Sequence, residues 1–231
     1  ALTLIVIAVV LLVSLWYVVT QPVLFANPPS SARVDQNRLR DHVVMLSQTC
    51  HPRSYLHTNN TARCVGYVLD HFSRAGAKTS VQEFAVDGRT FSNVIGYFGP
   101  ASGSRMVIGA HYDSCQNTPG ADDNASGVAG LIELAYLLGK ENLQGGVELV
   151  AYANEEPPFF STPGMGSARH AKSLKEAGVG VKLMLSLEMI GYFSDEPGSQ
   201  IRPGLAYRAL YPGRGNFIGV VGRLQDGGIV R

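Results

Sequence analysis

The sequence has little of what marks several common classes of protein. Its three cysteines, Cys50, Cys64 and Cys115, are too few and too scattered for a disulfide scaffold or a thiolate zinc site. Charged residues make up only 16% and the formal net charge is +1, so nothing indicates nucleic acid or an acidic membrane surface as a partner. No internal repeat or low-complexity tract is visible. What remains, at 231 residues and 45% hydrophobic, is one sizeable globular domain with room for an apolar appendage.

Two of the cysteines, Cys50 and Cys64, flank a short polar loop. They could form a disulfide bond if the domain lies in an oxidising compartment. Two free thiols are equally compatible with the sequence, so the pairing stays open here.

The first twenty residues carry no charge, and the run from Leu2 to Val19 is almost wholly apolar. A helix of that length, at about 1.5 Å per residue, spans roughly the 30 Å hydrocarbon core of a bilayer. Trp16 and Tyr17 suit its interface. We therefore predict a transmembrane helix over residues 1–20, while a cleavable signal peptide ending near Ala26 is the alternative. The chain does not begin with methionine, so we expect residues upstream of it to be missing.

The remainder alternates between strand-like and helix-like patterns. Residues 21–33, with three prolines, predict an extended linker, and residues 34–231 predict one domain. Apolar residues at helical spacing predict helices at Val34–Gln48, Ala62–Ala75, Val128–Leu138 and Ser167–Ala177. Apolar runs predict strands at Lys78–Val86, Phe91–Phe98, Met106–Ala110, Val147–Ala153 and Val181–Leu187, the last three of them buried, and Asn216–Val221 could begin another. Strands alternating with helices predict an α/β domain with a mixed, largely parallel central sheet.

Potential metal ligands stand where apolar strands end. His111, Glu156 and Glu188 follow three of the predicted strands, and Asp123 lies in a polar loop between them. An imidazole with carboxylates and no thiolate suits zinc, manganese or cobalt. Each residue alone has a structural explanation, such as a loop histidine or a helix cap. Their joint occurrence at strand ends predicts a metal site, because ligands of α/β enzymes bind there.

Two further acidic residues suit supporting roles. Asp113 lies two residues after His111, so both face one side if the strand continues, and Asp113 could hydrogen-bond the second ring nitrogen. The adjacent Glu155 and Glu156 predict a division of labour in which one binds metal and the other acts as general base.

Four motifs, in this order and approximate spacing, make residues 37–192 resemble the M28 zinc peptidases: Gly109-Ala-His111-Tyr-Asp113-Ser, Gly120-Ala-Asp122-Asp123-Asn124-Ala-Ser-Gly127, Asn154-Glu155-Glu156 and Leu187-Glu188-Met-Ile-Gly-Tyr. The resemblance implies a three-layer α/β/α fold of the zinc-peptidase type and a centre with two zinc ions. By the same resemblance, His111 and Glu188 bind one zinc ion, Glu156 binds the other, and Asp123 bridges both.

The resemblance also assigns the catalytic roles. Glu155 would be the general base for a water activated by the two zinc ions, and Asp113 would orient His111. It further implies a cis peptide bond between Asp123 and Asn124. We expect an exopeptidase, most specifically an aminopeptidase, that acts on the N-terminal residues of peptides. The loop Pro157–Gly166 would line the substrate pocket with its two phenylalanines.

The sequence departs from the family in two respects. Glu188 stands where many relatives have aspartate, and the longer side chain should still reach the metal. The family also has a final histidine ligand well downstream, whereas the last histidine here is His170, before Glu188. We therefore expect the domain to be C-terminally incomplete, ending before that ligand.

Two alternatives from other functional classes stay open. A glutaminyl-peptide cyclotransferase shares the fold and uses one zinc ion, and a non-catalytic binding ectodomain could use the same scaffold. In each case we expect attachment to a membrane through residues 1–20, with the folded domain outside the cytoplasm in a periplasmic or extracellular location.

Overall fold

The computed structural model describes residues 2–20 and 33–223. The chain divides into two compact units, Ala32–Gly191 and a second made of Ala1–Ser31 with Tyr192–Arg231. The helices are α1 (Leu2–Thr20), α2 (Gln36–Val44), α3 (Thr58–Arg74), α4 (Gly127–Leu138), α5 (Gly166–Glu176) and α6 (Gly204–Leu210), with π-helical turns at Met45–Thr49 and Ala121–Ser126. The strands are β1 (Lys78–Val86), β2 (Arg89–Phe98), β3 (Arg105–His111), β4 (Gly146–Tyr152) and β5 (Val181–Ser186). The predicted linker, residues 21–33, lies outside the described residues except at its last position.

A five-stranded sheet in the order β1-β2-β4-β3-β5 forms the centre of the unit Ala32–Gly191. Strands β1 and β2 are antiparallel because a two-residue turn joins them, and both turn residues, Asp87 and Gly88, have positive φ (50° and 74°) as such hairpins require. Strand β2 is also antiparallel to β4, whereas β3 runs parallel to β4 and to β5. The predicted mixed sheet is confirmed. The predicted excess of parallel pairs is wrong, since the hairpin adds antiparallel pairs on one side.

Helices cover both faces of this sheet. On one face, α3 and α4 pack against alternate residues of β2 and β4, and the shared core includes Val68, Phe72, Leu131, Val94 and Leu149. On the other face, Leu174 of α5 packs against a smaller cluster formed by Val107, Val150 and Tyr152. Strand β4 is buried along its whole length because it lies between two neighbours and beneath helices on both sides. Each buried large apolar side chain contributes roughly 1.5–3 kcal/mol.

Local sequence explains where the helices begin and end. Helix α2 begins after Asp35, whose carboxylate accepts hydrogen bonds from the backbone N–H groups of Asn37 (2.9 Å) and Arg38 (3.2 Å). Helix α3 ends just before Gly76, which takes the left-handed conformation (φ 87°) that favours glycine after a helix. The predicted strands from residue 78 to 187 are all found within two residues of their expected ends.

Two predictions about the C-terminal part are wrong. Strand β5 was expected to be buried, but its residues are mostly exposed because it lies at the edge of the described sheet with β3 as its one neighbour there. The segment Asn216–Val221 forms no strand, and Ile218, Val220 and Val221 are exposed without a neighbouring strand in the described part of the chain. Helix α6 was not anticipated.

No helix within residues 2–20 or 33–223 is both long and apolar enough to cross a membrane. The transmembrane helix predicted at residues 1–20 is therefore not confirmed.

Candidate metal centre

The sheet topology brings the predicted site residues together. Strands β4, β3 and β5 are neighbours and run in the same direction, so their carboxyl ends meet at one edge of the sheet. His111 is the last residue of β3, Glu155 and Glu156 follow β4, and Glu188 follows β5. The turn that carries Asp123 precedes α4 and reaches the same edge.

His111 lies at the centre of this group. Its side chain is buried, and its Nε2 atom lies 3.1 Å from Asp123 Oδ1, 3.5 Å from Glu188 Oε1 and 3.7 Å from Glu155 Oε2. None of these contacts has the geometry of a hydrogen bond, so this buried nitrogen has no hydrogen-bond partner among the residues that the structure describes. A buried imidazole nitrogen without a partner, facing several carboxylates, is what a metal ligand requires.

The donor atoms fit zinc. Ligand atoms of His111, Asp123 and Glu156 all lie within 4.8 Å of one another, and Glu188 approaches the same imidazole nitrogen. One imidazole with carboxylate oxygens suits zinc and other borderline divalent metals. Exposed acidic clusters commonly lack a metal, but here the buried histidine distinguishes the group from such a cluster.

Without a cation, the charges of this centre shift the pKa values of its members. Burial opposes protonation of His111, but Asp113, Asp123 and Glu188 outweigh it and raise its pKa to about 12. The nearby imidazole of His111 lowers the pKa of Asp123. Burial raises the pKa of Glu155 to about 6, against the opposing effect of His111. The centre therefore has an excess of negative charge that a bound cation would balance.

Asp113 connects two of the strand ends. Its Oδ1 and Oδ2 atoms accept hydrogen bonds from the backbone N–H groups of Glu155 (3.2 Å) and Glu156 (3.1 Å). Oδ1 also lies 3.4 Å from His111 Nδ1, and that nitrogen lies 3.2 Å from the Asp113 backbone carbonyl. The structure therefore places Asp113 beside His111, where the sequence predicts it. The hydrogen bonds that Asp113 accepts from the backbone N–H groups of Glu155 and Glu156 were not predicted.

The turn after β4 fixes the two glutamates. Asn154 takes the left-handed conformation (φ 58°), which asparagine tolerates better than most residues, and its side chain is buried. Glu156 Oε1 accepts a hydrogen bond from the backbone N–H of Cys115 (2.9 Å). Among the described residues, the carboxylate of Glu155 accepts no hydrogen bond from a backbone N–H group. The backbone thus anchors the carboxylate of Glu156.

Sequence reasoning missed a second group of contacts. Asp122, Asn124 and Ser126, at alternate positions around Asp123, all bind the segment 187–191. Asn124 Nδ2 donates to the backbone carbonyl of residue 187 (2.8 Å) and to Glu188 Oε2 (3.1 Å). Its Oδ1 accepts from the backbone N–H groups of residues 127 (3.0 Å) and 189 (3.3 Å). The polar residues at positions 122–124 and 126 were the available signal, but the sequence does not show which segment they bind.

The Asp123 turn has an unusual peptide bond and a position that only glycine fits. The Asp123–Asn124 peptide bond is cis, as the family resemblance implies. Position 127 requires glycine, because a Cβ atom there would lie 2.3 Å from Asn124 Oδ1 and 2.7 Å from the Leu187 carbonyl oxygen.

The loop Pro157–Gly166 does not line a pocket with both phenylalanines. Phe159 is buried, and its ring contacts those of Tyr55 and Phe91 (centroid distances 5.4 and 5.6 Å), so it belongs to the core. Phe160 is 57% exposed. A cavity of about 150 Å³ does adjoin the centre, and it is lined by His111, Tyr152, Glu155, Met165, Met184 and Glu188, among others.

Comparisons of the sequence identify relatives. Residues 93–209 match the model of peptidase family M28. An uncharacterized protein of Escherichia coli K12, YfbL, is 48% identical over 219 residues, which cover 91% of this chain and 67% of YfbL. Leucine aminopeptidase 1 of Pyrenophora tritici-repentis is 28% identical over 208 residues, which cover 82% of this chain and 52% of that protein.

Solved structures share the fold. A glutaminyl cyclase of Porphyromonas gingivalis superimposes with a TM-score of 0.62 at 23% identity, over 71% of this chain and 62% of the cyclase. A Zn-dependent exopeptidase of Parabacteroides distasonis gives a TM-score of 0.60 at 24% identity, over 73% of this chain and 65% of that protein. Leucine aminopeptidase 1 is only about half covered, so the chain spans part of the length of such relatives. By its match over residues 93–209 and its likeness to YfbL, the chain belongs to peptidase family M28.

Proposed function

We propose that the whole protein is a zinc-dependent exopeptidase, most specifically an aminopeptidase that removes N-terminal residues from peptides. The observation that carries this proposal is the buried, unpartnered Nε2 atom of His111 among the carboxylates of Asp123, Glu155 and Glu188. Membership of family M28 and the names of relatives, such as leucine aminopeptidase 1, support it.

We assign the ligands of two zinc ions by the resemblance to family M28, and the closeness of the donor atoms supports a metal centre here. His111, Asp123 and Glu188 would hold one ion, and Asp123 would share the second with Glu156. Zinc bound there supplies Lewis acidity, which polarises a scissile carbonyl and makes a bound water more acidic.

Glu155 is the proposed general base. It lies 3.7 Å from His111 Nε2, at the rim of the ligand group, and its backbone is fixed by Asp113. Its carboxylate would take a proton from the attacking water and return it to the leaving amine. Asp113 would hold the imidazole and both glutamates in position without touching the substrate.

The alternative enzyme is a glutaminyl-peptide cyclotransferase. The likeness in fold to the Porphyromonas gingivalis glutaminyl cyclase favours it as the second candidate. The two activities differ in the reaction: an aminopeptidase consumes water and releases a free amino acid, whereas a cyclotransferase releases ammonia from an N-terminal glutamine.

Elemental analysis and two substrates separate these functions in the whole protein. Two equivalents of zinc with hydrolysis of aminoacyl-anilides are expected, and Glu155→Gln should retain the zinc and lose the hydrolysis. One equivalent of zinc with cyclisation of N-terminal glutamine would replace the aminopeptidase by the cyclotransferase. A folded protein without zinc would overturn both and leave a binding domain.

We further propose that the domain is held at a membrane through residues 1–20 and lies outside the cytoplasm. The almost wholly apolar, uncharged sequence from Leu2 to Val19 motivates this part of the proposal. Cys50 and Cys64 are buried free thiols, and the interaction with Cys64 lowers the pKa of Cys50 to about 7. Membrane fractionation of cells and mass spectrometry of the two cysteines test the proposal, and a reduced protein in the cytosolic fraction would refute it.

A further inference from the structure

Arg53 is completely buried beside the metal centre. Its guanidinium donates hydrogen bonds to four backbone carbonyl oxygens of the described residues. Nε donates to the carbonyl of Tyr112 (2.7 Å), Nη1 to those of Leu46 (3.0 Å) and Pro119, and Nη2 to that of Gly120. Within the described residues it forms no ion pair with a carboxylate. One side chain therefore joins three separate segments of backbone.

Two of these segments carry metal ligands. Tyr112 lies between His111 and Asp113, and Gly120 lies three residues before Asp123. The backbone carbonyl of Arg53 also accepts a hydrogen bond from Ser114 N–H (3.3 Å), which binds the first of these segments a second time. One guanidinium therefore bridges the His111 segment and the Asp123 turn.

Gly120 shows how closely the turn approaches this side chain. Its backbone is left-handed (φ 59°), and a Cβ there would lie 2.7 Å from Arg53 Nη2 and 2.3 Å from the Asp123 carbonyl oxygen. Only glycine permits both contacts, so the turn is shaped to close on the arginine.

Stability alone does not account for such a residue. A buried charge is expensive to desolvate, and apolar residues of similar volume often serve a core as well or better. Burial lowers the pKa of Arg53, while the negative charges of Asp113 and Asp123 are among the groups that raise it. The same positive charge lowers the pKa of Asp123. Arg53 therefore interacts with ligand-bearing segments both geometrically and electrostatically.

We propose that Arg53 is a positioning residue of the metal centre, which holds the Asp123 turn against the His111 segment so that both ligands are in place before metal binds. The inference rests on the proposed function, because it takes this centre to be the zinc site. Lysine cannot replace arginine fully, since its single ammonium cannot reach carbonyls on three segments at once. Methionine would fill the volume and restore none of the hydrogen bonds.

The test compares R53K and R53M with the wild type in the whole protein. Zinc affinity is measured by competition with a chromophoric chelator, and kcat and KM are measured with an aminoacyl-anilide. R53M is expected to lower zinc affinity by about 10–100-fold, as other residues that orient ligands do, with R53K between R53M and the wild type. At saturating zinc, kcat should fall while KM changes little.

A matched substitution, R38M, controls for lost stability. Arg38 binds buried Glu133 through two contacts of 2.7 Å, and its removal leaves a buried carboxylate without its main partner, away from the ligands. R38M should lower the melting temperature and leave zinc affinity unchanged. Because lysine keeps the charge and most of the volume, R53K supplies the comparison if R53M does not fold.

The outcomes are distinguishable. Unchanged zinc affinity in folded R53 variants overturns the inference alone, and so does an equal loss of affinity in R38M. A wild-type protein that binds no zinc overturns the proposed function instead.

Discussion

The substitution Asn124→Asp isolates the contact between the Asp123 turn and Glu188. The change keeps the shape of the side chain and its acceptor oxygen, but it replaces the Nδ2 donor by a second oxygen. That donor binds the Leu187 carbonyl at 2.8 Å and Glu188 Oε2 at 3.1 Å. The variant would therefore leave one carbonyl unpaired and set two carboxylates against each other beside the zinc ligands.

The magnitude follows from these contacts. A hydrogen bond to a charged group contributes about 1.5–3 kcal/mol, and an unpaired buried carbonyl costs about 1–3 kcal/mol. Part of that loss falls on folding, because Asn124 is completely buried, and part falls on the orientation of Glu188. We therefore expect zinc affinity to fall by about 10–100-fold, together with a lower melting temperature.

Ser126→Ala is the matched control for this experiment. Ser126 binds the same segment through the Ile190 N–H at 3.1 Å but does not contact Glu188. Its loss should remove about 1 kcal/mol of stability and change zinc affinity by less than about fivefold. Chelator competition gives the zinc affinity of both variants, and thermal melts give their stability. Equal zinc affinities in Asn124→Asp and the wild type would refute the reasoning that Asn124 orients Glu188.

Four further predictions follow from the structure. Glu155→Gln should reduce kcat by about 10²–10⁴-fold without loss of bound zinc, and zinc loss on its substitution would make it a ligand instead. Removal of zinc by a chelator should lower the free energy of unfolding of the whole protein by about 2.7 kcal/mol, compared with the protein in zinc at 100 times the Kd. Calorimetry measures this difference, and an unchanged melting temperature would contradict a bound ion. His71, whose pKa is lowered to about 4 chiefly by burial, binds fewer protons when folded than when unfolded, so the free energy of unfolding should fall as pH drops from about 6.5 to 4. Because His71 is only half-buried, about 1–2 kcal/mol is expected, and His71→Gln should flatten that part of the curve measured by urea titration. Phe159→Ala should lower the free energy of unfolding by about 3–5 kcal/mol and leave side-chain preference unchanged, and an altered preference would place Phe159 at the substrate after all.

The strands of this fold were predictable because short apolar runs bounded by turn residues indicate strands without any knowledge of the tertiary structure. Strand β1 was placed at its observed bounds, and the predicted start of β2 lies within two residues of the observed one. The burial of β5 was not predictable, since it depends on which strands lie beside it and not on its own composition. Phe159 was misplaced for a similar reason, because a phenylalanine in a proline-rich loop gives no sign that the loop folds back onto the core.

The structure places all six residues that the motifs name at one edge of the sheet. The contacts between motifs were not predictable. Asn124 and Glu188 are 64 residues apart, and Arg53 is 67 residues from Gly120. Contacts between residues so far apart in the sequence depend on the order of the strands in the sheet. Local sequence patterns do not determine that order.

The position of His111 at the end of β3 limits how this strand can change over evolution. Side chains alternate between the two faces of a strand, so His111 shares its face with Val107 and Gly109, whereas Ile108 and Ala110 point into the opposite core. Deletion or insertion of a single residue within β3 would exchange the faces, burying the imidazole among apolar helices and turning an alanine toward the carboxylates. Changes of an even number of residues would preserve the arrangement. We therefore expect length variants of β3 that keep their metal to differ by two residues and never by one.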